Sequence, residues 1–310
     1  LTTGLRGTCR AVLAFLLLGG LAIGTMSPGA QSARSGSDPS VLIRPKFVAN
    51  WTRGGSRPAS IAFLAGAVTD SRFDVTQLLN DAYHLQANEW DSSSPFTIVS
   101  NGNTEFRIAD SAIENATNGA PGAYPSLYRG CHWGYCTSRS GLPLKASRIL
   151  RLGTLTTTDH TTVVRRGAWD DAYDIWFNRD RATTNNSTSG LEMMIWLDHF
   201  GGIQPAGRVV ASNVDIGGSS YDVWYGGPGR DGGTVSYVLT HSVTSISGLD
   251  LGPLTAYAIS HRYMRRSWWL LDVEAGFETW IGGEGLSVNS FDVCDSAGCG
   301  ISSNTGTTRS

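Results

Sequence analysis

The chain has 310 residues, including 38 Gly and 10 Trp, with 16% charged residues and a formal charge of −2. That length holds one large all-β domain or two small ones with a substantial core. The charge balance offers neither a basic nucleic-acid-binding patch nor an acidic disordered tail, and the abundance of Ser, Thr, Asn and Gly points to neutral ligands.

Residues 1–32 read as a signal peptide. Arg6 and Arg10 precede the apolar run "AVLAFLLLGGLAIG", which is too short for a comfortable membrane span. Small residues at Ala30 and Ser32 place cleavage after Ser32; an uncleaved anchor is the alternative reading. Export to the extracellular space follows, with no membrane association after cleavage. Residues 33–70 form an N-terminal extension or linker, with the option of a strand pair added to the main sheet.

From about Asp70 short apolar or alternating runs recur between Gly, Ser, Thr and Asn. "FTIVS", "TEFRIA", "AYDIWF", "LEMMIWL", "GRVVA", "YDVWYG", "TVSYVLT" and "WWLLDVEAGFETW" read as strands. One helix is expected over Gly252 to Met264, where Leu254, Tyr257, Ala258 and His261 share a face. Many strands and one short helix predict an all-β sandwich of two antiparallel sheets. Residues 71–300 are assigned to this domain and 301–310 to a flexible tail.

Four cysteines lie beyond the signal, as Cys131/Cys136 in "CHWGYC" and Cys294/Cys299 in "CDSAGC". In an exported chain this spacing favours two small disulfide loops. Zinc is the alternative, although C-x4-C is not the usual zinc-knuckle spacing. No metal or cofactor motif is present, and none is expected.

Side chains alternate across a strand. In "LEMMIWL" Glu192, Met194 and Trp196 share one face, and Met193, Ile195 and Leu197 share the other. An ionised carboxylate is expensive to remove from water, so the first face suits a partly wet cleft. The same parity sets Asp174 with Trp176, and Glu274 with Glu278 and Trp280. A groove of carboxylates and indoles matches the needs of glycoside cleavage: two carboxyls, one an anion and one kept protonated.

The order of several blocks carries a resemblance to a known family. They are "NEW", "NGAPGAYPSLYRGCHWGYCT", "AYDIWF", "LEMMIWLDHFGGIQPAG", "YDVWYGG" and "EAGFETWIGGEGLSVNSF", over about two-thirds of the chain. It resembles family 12 of the glycoside hydrolases, secreted endo-β-1,4-glucanases with a β-jelly-roll fold and a concave substrate cleft. The resemblance implies Glu192 as nucleophile, Glu278 as general acid/base and Asp174 as support for the nucleophile. A retaining mechanism then follows, with carboxyls about 5–5.5 Å apart. It also implies substrate contacts at Asn88, Trp90, His132, Trp133, Met194 and Trp224. Trp196 and Trp280 are read as scaffold, and Glu274 and Glu284 as acids outside the reaction. A β-glucan polysaccharide is the expected partner of a monomer. Cellulose, mixed-linkage glucan and xyloglucan stay open, as does a non-catalytic carbohydrate-binding jelly roll. Asp198, His199 and the loop Gly226 to Gly233, with Arg230, depart from the family pattern.

Overall fold

The structure, a computed structural model, describes residues 67–69, 71–151, 153–181 and 190–300. All of them belong to one compact unit, Phe47–Ser310. The expected signal peptide, most of the expected extension and the expected tail lie outside the described residues.

The first strands are β1 (Ala67–Thr69), β2 (Val75–Leu78), β3 (Tyr83–Gln86), β4 (Phe96–Ser100), β5 (Phe106–Ser111) and β6 (Ser126–His132). Short strands β7 (Tyr135–Cys136) and β8 (Leu144–Lys145) and the single-turn helix α1 (Ala146–Ile149) lead to β9 (Thr156–Thr162), β10 (Ala168–Asn178) and β11 (Leu191–Phe200). The chain continues through β12 (Arg208–Ile216), β13 (Ser219–Gly226), β14 (Gly233–Leu239), β15 (Ser245–Asp250) and α2 (Leu251–Ser260). It closes with β16 (Trp269–Gly276), β17 (Thr279–Ile281), β18 (Ser287–Asp295) and β19 (Gly298–Cys299).

Two sheets form the expected β-jelly-roll sandwich. The smaller runs β1-β4-β5-β18-β9-β15, and the larger runs β12-β13-β14-β11-β10-β16-β6-β3-β2. Strand pairs among the described residues are antiparallel except β11 with β14, which run parallel. Strand β1 precedes the expected domain start at residue 71 and pairs with β4. The core takes the inward residues of both sheets, Tyr173, Ile175 and Phe177 from β10 and Met193, Ile195 and Leu197 from β11 among them. Both disulfides form as expected, Cys131–Cys136 between β6 and β7 and Cys294–Cys299 between β18 and β19. Among the described residues no helix is long and apolar enough to cross a membrane.

Helix α2 ends four residues before the expected Met264. Arg262 adopts φ +63°, its N–H bonds Ile259 O, and the Tyr263 N–H bonds Ala258 O. This left-handed cap satisfies the last carbonyls and turns the chain away. At the other end Asp250 accepts from the Gly252 N–H at 2.8 Å. The run "WWLLDVEAGFETW", read as one strand, is broken at Phe277 and Glu278 into β16 and β17.

A buried acid pair sits between the sheets. Asp159 on β9 and Asp171 on β10 are fully buried, and Asp171 accepts a 2.5 Å bond from Thr161. Burial pushes Asp159 up to about 8, and burial with the Asp159 charge pushes Asp171 well above the carboxylate range. A folded-state pKa above the unfolded one gives stability that is fully present at low pH. That stability is lost as pH rises from the unfolded value, about 3.9, through about 8. Asp159→Asn, which keeps the shape but cannot ionise, is expected to raise Tm at pH 8 by roughly 3 °C or more and to change it little at pH 4. Calorimetry at the two pH values checks this, and a lower Tm at pH 8 would contradict it.

Candidate active site

Cross-strand register assembles the floor of the site. One rung on the outer face of the larger sheet runs His84, Tyr128, Glu274, Asp174, Met194, Ser236, Trp224 across β3, β6, β16, β10, β11, β14 and β13. The next runs Gly130, Asp272, Trp176, Glu192, Thr234, Gly226. Directly opposed side chains on one sheet face lie about 4.5–5.5 Å apart at Cβ. Four carboxylates therefore share a small patch.

Glu278 comes from beyond the end of β16. Phe277 is buried against Phe106 and Trp169 in edge contacts of 6.4 and 6.3 Å between ring centres, which bolts this segment into the core. Asp170 on β10 holds the Glu278 main chain: its N–H donates to Glu278 O at 3.1 Å, and its Oδ1 accepts from the Glu278 N–H at 3.2 Å. Gly276 allows the close approach of Pro125, since a Cβ there would lie 2.0 Å from Pro125 O.

The three candidate catalytic carboxyls are in electrostatic contact. Burial pushes Glu192 up to about 7; the Thr234 hydroxyl, donating to its Oε2 at 2.8 Å, opposes the rise, and the Glu274 charge adds to it. Asp174 is raised well above the carboxylate range by burial, then by the charges of Glu192, Glu278 and Glu274. Glu278 is raised similarly by burial, the Asp170 charge and hydrogen bond, and the Glu192 charge. The Thr234 hydroxyl thus favours the Glu192 anion, while the carboxyls around Asp174 and Glu278 favour their protonated forms. One anion and one proton donor facing the same space is the equipment for acid-assisted displacement.

That space is a cleft of about 880 Å³. Glu192, Glu278, Asp174, Asn88, Trp90, His132, Trp133 and Met194 all line it, as do Trp176, Trp196 and Trp280. Trp90 is not core: it is 47% exposed, and Trp133, Phe73 and Tyr135 beside it are similarly open. Such rings on a cleft wall present apolar faces to a ligand. Asn88 and Trp133 carry left-handed backbone, φ +44° and +46°, a conformation uncommon outside Gly and concentrated at functional sites. Trp224 shares a rung with Met194 but lies outside the cavity lining. Asp198 is turned to Arg165, which donates to it at 3.1 and 2.6 Å, and Glu284 pairs with Arg166 on the surface.

Asp170, Thr234 and Asp272 were not singled out from the sequence. For Asp170 a signal existed, since it shares parity with Asp174 in "DDAYD". Thr234 had none, because its partner strand is distant and parallel.

His132 is buried and reaches two acids, with Nδ1 at 2.5 Å from Glu274 and 3.6 Å from Asp272. Burial alone would lower its pKa, but the Glu274 charge and the Asp272 hydrogen bond lift it to about 10. The two acids therefore favour the imidazolium form of the ring. The three residues offer ligand atoms within 4.8 Å of one another. However, 2.5 Å between nitrogen and oxygen is an ion-pair distance, shorter than two ligands about 2.0–2.2 Å from a shared tetrahedral metal would allow.

A family model described as glycosyl hydrolase family 12 matches residues 81–294. "Probable cellulase Cel12b" of Mycobacterium tuberculosis is 32% identical over 152 residues, which is 49% of this chain and 95% of that protein. "Endoglucanase S" of Pectobacterium parmentieri is 34% identical over 53% of this chain, which spans 61% of that protein's length. Among solved structures, "Endoglucanase cel12A from Rhodothermus marinus" aligns with a TM-score of 0.68 at 36% identity, covering 73% of this chain and 97% of that one.

Proposed function

Since the chain belongs to glycosyl hydrolase family 12, we propose that it is a secreted, retaining endo-β-1,4-glucanase acting on cellulose or a related neutral β-glucan. One observation carries this reading: Glu192 and Glu278 open onto a single aromatic-walled cleft, one beside a hydroxyl donor and the other beside a second carboxyl. A lectin has no need to bring such a pair together.

Glu278 donates its proton to the departing glycosidic oxygen as the Glu192 carboxylate attacks the anomeric carbon, and the C–O bond to the leaving chain breaks. An ester joins sugar to Glu192. Glu278, now an anion, takes a proton from water, whose oxygen attacks the same carbon and frees Glu192. Asp174, protonated and diagonal to Glu192, supports the carboxylate. Trp90, Trp133 and Asn88 flank the sugar chain, Met194 lies beside the nucleophile, and Trp224 serves an outlying sugar unit. His132 lines the cleft from beneath. The short apolar leader supports export, and the protein is expected to act as a monomer.

The test is hydrolysis of carboxymethylcellulose, mixed-linkage glucan and xyloglucan, with reducing ends counted and the product followed by proton NMR. New reducing ends of β configuration, mutarotating later to α, are expected on at least one polymer. Initial α product would reject retention, and polymer binding without new reducing ends would favour a carbohydrate-binding protein.

A further inference from the structure

His132 closes β6 beside the Cys131–Cys136 turn, yet its ring is buried. It meets Asp272 and Glu274, both fully buried on β16. Glu274 also accepts from the Ser126 hydroxyl at 2.8 Å and stands opposite Asp174. Asp272 stands opposite Trp176, whose other neighbour is Glu192. A contiguous series of ionisable groups therefore runs from a disulfide-closed turn to the cleft floor: His132, Glu274, Asp174, Glu192. Two buried carboxylates without a cation would be strongly unfavourable, so His132 decides the charge this patch can hold.

We propose that His132 is a positioning residue: its close pairing with Glu274, which stands opposite Asp174, sets how protons divide between Asp174 and Glu192. The inference rests on the roles proposed above for those two acids. The remaining ionisable neighbours do not supply the same control. Tyr128, 5.3 Å from His132 between ring centres, has its hydroxyl raised by burial and the Glu274 charge and stays neutral. That hydroxyl lies 3.0 Å from His84 Nδ1, and His84 Nε2 lies 2.5 Å from Asp81, so His84 is committed to its own acid. Tyr124 is likewise raised, by burial and then by the charges of Asp174 and Glu274. Tyr135 pairs with His132 across the turn and is exposed, and Glu278 faces Asp174 from the cleft side.

Removing a positive charge raises the proton affinity of every nearby acid, and removing a negative charge lowers it. His132→Asn is therefore expected to move the acidic limb of the kcat/KM–pH profile upward by about one pH unit. Glu274→Gln is expected to move it downward by a similar amount, and the double variant to return close to wild type. The limb belongs to the coupled set rather than to one residue. A role confined to holding the fold would lower stability in both variants without opposite displacements. Folded variants with unmoved limbs, or limbs moving the same way, would overturn the proposal.

Nitrogen-15 NMR of the wild-type His132 ring needs no activity. Both ring nitrogens are expected to stay protonated at pH 8, where an ordinary histidine (pKa about 6.5) is neutral, and to titrate at lower pH in Glu274→Gln. A neutral ring at pH 8 in wild type would refute the inference. If instead wild type cleaves no glucan, the proposed function fails while the NMR result still decides the charge state.

Discussion

Glu192→Ala is expected to lower kcat on a soluble β-1,4-glucan by about four orders of magnitude or more, as removal of a covalent nucleophile does. The loss should come in kcat, because Glu192 bonds to the anomeric carbon only as the reaction proceeds. Binding surfaces such as Trp90 and Trp133 remain. The substitution also leaves a small void beside Thr234, whose hydroxyl donates to Glu192. Azide fits such a space and is already an anion. It should attack the anomeric carbon from the vacated side while Glu278 still protonates the leaving oxygen. The product should be the glycosyl azide of inverted, α configuration, identified by its anomeric coupling constant. A folded variant that makes no azide adduct, or one that keeps most of its turnover, would count against the nucleophile assignment.

Glu278→Ala should behave differently, in a way that depends on the leaving group. On natural glucan the departing alkoxide needs the proton, and a loss of about 10²–10⁴ is expected. On an aryl cellobioside with a dinitrophenolate leaving group the proton is not needed. There kcat/KM, which reports formation of the ester, should fall by less than about tenfold. Turnover should still be slow, because water now lacks its base. Azide should relieve that second step by attacking the Glu192 ester, and the azide product should keep the β configuration. The two variants thus predict azides of opposite configuration from opposite faces of one sugar. Equal losses on glucan and aryl substrate, or the same azide anomer from both, would reject the division of labour between the two acids.

The burial of both acids explains why their roles can differ at one pH. Each carboxyl is pushed upward by desolvation, but Glu192 receives a hydroxyl donor, whereas Glu278 has the Asp170 carboxyl beside it. The hydrogen bond favours the anion and the neighbouring charge disfavours it. The environment, not the residue type, separates nucleophile from acid.

Much of this was legible in the chain. Period-two alternation in "LEMMIWL" put Glu192, Met194 and Trp196 together, and all three line the cleft. The same alternation set Asp174 with Trp176 and Glu278 with Trp280. The cysteine spacing yielded both disulfides. Other strands were hard to read. β9 is "TTTDHTT", a strand without an aliphatic residue, held by β15 and β18. The end of α2 was misjudged because Arg262 takes the left-handed cap position usually given to Gly.

What the sequence by itself determined is local: which side chains of a strand share a face, and where chemistry-bearing residues interrupt an apolar pattern. That follows from backbone geometry, which alternates side chains without reference to neighbours. Only the tertiary structure decided which strands lie side by side. The parallel pairing of β11 with β14 brings Thr234 to Glu192, and the pairing of β10 with β16 sets Glu274 opposite Asp174. His132 lines the cleft, and only the fold shows that its ring is also held by two acids of β16. Proton affinities depend on such non-local neighbours and on burial, and no spacing within a strand encodes either one.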